Sequence, residues 1–121
     1  MPTEYTQLVA ALKALTQGES PNVKTLPMAE NDWNTRPDSD SYGIVALDFE
    51  ADALYGDNLK QVIAYEGSVD LFSRKKDGDG WVEAIVNTLT EHCDGAWSLN
   101  SHMYERENRI FHWEWVFQVE G

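Results

Sequence analysis

Cations are scarce in this sequence. Nine lysines and arginines stand against 21 aspartates and glutamates, a formal net charge of −12 over 121 residues. Proteins that grip nucleic-acid phosphate rely on clustered Lys and Arg, so that class is excluded. An anionic membrane surface is excluded as a partner for the same reason. Cysteine is nearly absent: Cys93 stands alone. One thiol forms no intramolecular disulfide and no multi-thiolate zinc site, and it suits a chain made in a reducing cytoplasm. No apolar run approaches the roughly 18 to 20 residues that span a bilayer. The start, Met1-Pro2-Thr3-Glu4, lacks the basic and apolar stretches of a signal peptide. The expectation is therefore a soluble protein with no membrane partner. Internal repeats are absent, and the one Gly-rich patch, Gly78-Asp79-Gly80, is too short for a linker. A single domain over residues 1–121 follows, with a radius of gyration of roughly 14 Å. What is present is material for a core: 42% hydrophobic residues, including five Trp, five Tyr and four Phe.

Hydrophobic spacing organises the chain. Tyr5, Leu8, Val9, Leu12 and Leu15 recur at helical intervals and predict a helix over residues 3–16, with Thr3 as N-cap and Gly18 as stop. Residues 19–42 are polar and punctuated by Pro21, Pro27 and Pro37. They read as a long connection with one short strand near residues 26–30. Residues 42–54 and 59–73 alternate with period 2 around the turn signal Tyr55-Gly56-Asp57-Asn58, which predicts a long antiparallel hairpin. Gly67 within it signals a bulge or a large neighbour. A loop over 74–80 leads to a second helix over 81–93, with Asp79 as N-cap and Asp94-Gly95 as stop. A second hairpin follows: Trp97, Leu99, Ser101 and Met103 share a face, residues 105–108 turn, and Phe111, Trp113, Trp115, Phe117 and Val119 form the strongest strand signal in the chain. The fold class is α+β: a mostly antiparallel sheet built from two hairpins, with two helices packed on one face.

No enzyme signature is complete. His102 and His112 are expected on the wet side of the last hairpin, roughly opposite each other, while Cys93 sits on a buried stripe. A Cys/His metal site would need these to converge, so no metal and no cofactor is expected. Asp48 with Asp70, and Glu50 with Glu66, are candidate cross-strand carboxylate pairs. An acid/base site also needs a cleft and shifted pKa values, which an open strand face does not promise. Trp33, beside Asn34 and Arg36, either folds back as a lid on the core or anchors a partner. Arg74-Lys75-Lys76 is the one basic cluster. It either protects a strand edge by charge or donates salt bridges to an acidic neighbouring copy. The acids Asp48, Glu50, Asp52, Glu66 and Asp70 fall on the wet faces of two alternating strands.

The element order, the length and the passage strand–Ser-Arg–loop–helix resemble the phage tail terminator (tail completion) proteins. Tyr42-Gly43-Ile44-Val45, Val69-Asp70-Leu71-Phe72-Ser73-Arg74, and the helix over residues 81–92 followed by the aromatic hairpin carry the likeness. The Trp33-Asn34-Thr35-Arg36-Pro37 segment matches no general motif of that family. The resemblance implies a virion structural protein, not an enzyme. Such proteins form a ring, expected to be hexameric, on the last ring of the tail tube. They stop tube polymerisation and present a head-joining surface to the connector, while DNA passes through the lumen without specific binding. The implied partners are copies of itself, the tail tube protein and head–tail connector proteins. The implied location is the tail of the virion, and host cytoplasm during assembly. The acidic strand faces are then candidate lumen residues, and Trp33, Asn34, Arg36, Arg74, Lys75 and Lys76 candidate inter-subunit or tube contacts. Two other readings stand beside it: another head–tail joining or neck protein, and an unrelated small acidic α+β binding domain or enzyme.

Overall fold

The computed structural model describes residues 3–53 and 63–120, with side chains described over 4–48 and 65–120. The expected turn at residues 55–58 lies outside the described residues.

The fold is α+β. Helix α1 (Thr3–Lys13) precedes two short strands, β1 (Thr16–Gln17) and β2 (Lys24–Thr25), which pair as a small antiparallel ribbon. β3 (Met28–Glu30), β4 (Ser41–Ala53) and β5 (Ile63–Ser73) follow, then α2 (Trp81–Cys93), β6 (Trp97–Glu105) and β7 (Ile110–Glu120). The five-stranded sheet has the order β3-β4-β5-β7-β6. Both expected hairpins are present, β4 with β5 and β6 with β7. The sheet is mixed, however, because β3 runs parallel to β4. A strand that returns through the long polar connection of residues 31–40 has room to reverse direction, which a tight hairpin turn denies it.

α1 ends three residues earlier than the spacing of its apolar residues suggests. Thr16 leaves the helix to pair with Thr25, and the Leu26 N–H donates to the Leu15 carbonyl. α2 occupies the expected residues, but Asp79 is not its N-cap. Gly80, in the left-handed region at φ 81°, holds that position, and Asp79 instead binds Lys24 at 3.0 Å. That ion pair ties the β1–β2 ribbon to the start of α2. Asp94, at φ 47°, ends the helix as expected.

Both helices cover one face of the sheet. Tyr5, Leu8, Val9 and Leu12 from α1 and Trp81, Ile85, Leu89 and Cys93 from α2 join Val45, Val69, Leu71, Trp113, Trp115, Phe117 and Val119 in one buried cluster. Each such side chain contributes about 1.5–3 kcal/mol by leaving water. Burial also pushes the Cys93 thiol up to about 12, which makes it a core residue and a poor nucleophile. Among the described residues, no helix covers the opposite face of the sheet.

Candidate functional site

The helix-free face is built by the second parity of the same strands. Register sets its rows. Tyr42, Phe72, His112 and Met103 lie side by side across β4, β5, β7 and β6. Ile44, Asp70, Glu114 and Ser101 form the next row, and Ala46, Ser68, Val116 and Ser98 the one after. Glu66 then sits opposite Gln118.

The first row is a stack. The Tyr42 and Phe72 rings lie 5.0 Å apart, Phe72 and His112 4.1 Å apart, and the Arg36 guanidinium sits 5.7 Å from the Tyr42 ring. His112 is held at both ring nitrogens. Nε2 lies 2.7 Å from the Asp70 carboxylate and Nδ1 lies 2.8 Å from that of Glu105. The imidazolium form gives each carboxylate an N–H donor, and the raised pKa of His112 favours that form. The hydrogen bond to Asp70 raises the His112 pKa most; burial opposes it, and Glu105 adds to it. Glu105 is lowered in turn, first by the Asn108 amide and also by His112. Asp70, a candidate lumen acid, is therefore half-buried with its charge matched.

Asp48, Glu66 and Glu114 form no ion pair with a lysine or arginine among the described residues. Asp48 is exposed, yet partial desolvation and then the fields of Glu114, Glu66 and Asp70 hold its carboxyl above the ordinary value. Four acids on one sheet face are thus close enough to feel one another. Glu114 is the member the sequence did not single out; it accepts a bond from the Asn100 amide at 2.6 Å. Its alternation with His112 places it on this face, but its position among β5 acids follows only from the β5–β7 pairing. The side chains of Glu50 and Asp52 lie outside the described residues. The expected carboxylate pairs do not form by register: Asp70 opposes Ile44, and Glu66 opposes Phe49 across an irregularity.

The histidines do not converge. A bulge between Leu99 and Ser101 shifts the parity of β6, so His102 opposes Trp113 and stacks on it at 4.3 Å, on the helix side of the sheet. His112 stays on the other face. Among the described residues, no group of three His, Cys, Asp or Glu is arranged to hold a metal ion.

The loop before β4 folds over one end of this face. The Trp33 indole donates to the Gly43 carbonyl at 3.1 Å. It closes over a hollow of about 330 Å³ shared with Asp32, Arg36, Tyr42, Ile44 and Phe72. Trp33 does fold back, but onto the helix-free face and not onto the core. Tyr42 is buried below it, and its hydroxyl has no partner among the described residues. Asn34 and Arg36 are exposed. Arg74 and Lys75 both reach Asp40 at 4.0 Å, and Lys76 is exposed beside them. No helix among the described residues is long and apolar enough to cross a membrane.

No protein-family model matches the chain, and no curated protein matches it in sequence.

Proposed function

We propose that this protein is a tail terminator: a virion structural protein that caps the growing end of a phage tail tube as a ring, expected to be hexameric. It stops tube polymerisation and offers a surface for head joining. The observation that carries the reading is the helix-free sheet face, where Asp48, Glu66 and Glu114 crowd with no lysine or arginine between them among the described residues. A wall of fixed like charge repels the phosphate backbone, so DNA slides past it instead of sticking. Asp70 supports this wall by organising the row beneath it, with its own charge matched by His112. The α+β element order fits the resemblance drawn from the sequence.

The ring acts without catalysis and without a cofactor. Trp33, Asn34, Arg36, Arg74, Lys75 and Lys76 are its candidate contacts to neighbouring copies or to the tube. The test is a tube-growth assay with the tail tube protein of the same genome. Added in slight excess, the purified protein should halt elongation and appear by electron microscopy as a ring on one tube end. Tubes of unchanged length with bare ends would overturn the reading. Crosslinking to portal-side proteins and never to the tube would instead favour a head–tail joining role.

A further inference from the structure

The described cations are not spread over the molecule. At one end of the sheet β4 and β7 begin and β5 and β6 finish. The loops there carry Arg36, Arg74, Lys75, Lys76, Arg106 and Arg109, all exposed. Lys24 joins them through its ion pair with Asp79 at the start of α2. Lys13 closes α1 on the same side, just before Gln17 approaches Gly80. All eight described lysines and arginines thus gather at one end, interspersed with Asp32, Asp38, Asp40, Asp77, Asp79, Glu105 and Glu107 of the same loops, so the end is mixed in charge and stands out by holding every described lysine and arginine.

The other end has no Lys or Arg among the described residues. Glu4, Asp94 and Glu120 converge there on a hollow of about 260 Å³, lined also by His92, Cys93 and Val119. The Glu4 carboxylate accepts the Glu120 backbone N–H at 2.6 Å, which fixes the start of α1 to the end of β7. The hollow is smaller than the roughly 300–1,000 Å³ of small-molecule sites. It is sized for a side chain.

At the cationic end the β6–β7 turn presents such side chains. Arg106 and Arg109 are exposed and outnumber the exposed Glu107 between them, and next to them Met103 and Tyr104 on edge strand β6 are 54% and 48% exposed. Arg, Met and Tyr are the residues enriched at interface centres.

We propose that these two ends are the two halves of one contact: the β6–β7 turn of one copy, with Arg106 and Arg109, seats on the hollow lined by Glu4, Asp94 and Glu120 of the next copy. This rests on the ring reading above and names the surfaces that close the ring. The guanidinium fork suits paired carboxylates, and the two patches differ, so the contact is heterologous and repeats head to tail. Because both patches lie at the ends of the strands, successive copies join along the strand direction. The acidic sheet face is then left free to line the lumen.

Sedimentation velocity over a concentration series of the full chain tests this, with circular dichroism to verify folding. Arg106→Glu with Arg109→Glu should weaken self-association by at least about tenfold. Asp94→Asn with Glu120→Lys should weaken it similarly, although that variant is less acidic and general repulsion would predict the opposite. Asn preserves the left-handed helix end at position 94. Mixing the two variants should restore association, since an acidic turn then meets a lysine-bearing hollow. If the wild-type chain associates and both variants do so equally well, the contact is wrong while the ring reading stands. If the wild-type chain stays monomeric in solution and on tube ends alike, both fail.

Discussion

His112 has a carboxylate on each ring nitrogen, which favours its protonated form and sets the sign of its effect on stability. The folded protein binds the imidazolium proton more tightly than the unfolded chain does, because the His112 pKa is raised in the folded state. Its stabilisation is therefore fully present below the unfolded value of about 6.5 and is lost as pH rises through the folded value. The melting temperature of the wild-type protein should fall across that window. In His112→Ala the fall should be missing, because no proton is released there. The same variant should be less stable at pH 6 by about 2–3 kcal/mol, since two charge-assisted hydrogen bonds are lost and Asp70 and Glu105 lose the cation between them. Thermal melts from pH 5.5 to 8.5 measure both. A wild-type profile that is flat, or that parallels the variant, would show that the clamp carries no proton linkage.

At the scale of elements, Gly67 shows what the strand pattern carries and what it omits. A glycine in the middle of an alternating strand signals either a bulge or a large neighbour, and both are present. A β-carbon at position 67 would run into the Ala46 carbonyl oxygen and come within 2.6 Å of the Phe117 ring. The β4–β5 ladder also shifts register between Leu47 and Phe49. Gly67→Ala should therefore destabilise the domain by about 1–3 kcal/mol, read as a lower urea midpoint, because β4 and Phe117 must both give way. The two helices, both hairpins and the core face were legible because their periods are local. What was not legible depends on partners distant in sequence. β5 lies beside β7, with α2 and β6 between them in the chain, so the Asp70–His112–Glu105 clamp has no local signature. The bulge near Asn100 carries no Gly or Pro to announce it, and for that reason His102 appeared to share a face with His112. The parallel strand β3 was visible as a short strand, but its direction was not, because the loop after it is long enough to permit either.

At the scale of the whole molecule, the described residues separate their charge in two ways: lysines and arginines to one end of the sheet, and acids without a lysine or arginine partner to its helix-free face. The first suits copies that join end to end. Under the ring proposal, the second governs what passes beside them. If the face lines a lumen, its acids act through their summed field and not as a specific site, so replacing some of them should convert repulsion into adhesion by degrees. Asp48→Lys with Glu66→Lys places two cations beside Glu114 without touching the core, the His112 clamp or either end of the sheet. Fluorescence anisotropy with duplex DNA should show no binding by the wild-type ring at moderate salt. The variant ring should bind, with an affinity that declines as salt rises, because each phosphate contact releases counterions. A ring multiplies the effect, since every copy contributes its pair of lysines to the same channel. If the protein caps tubes as proposed, particles carrying the variant should still have tubes of normal length, because neither substitution falls among the candidate tube contacts, but should release DNA more slowly. Should the variant ring ignore DNA at low salt as the wild type does, the face does not meet the genome, and its acidity serves only to keep the protein in solution.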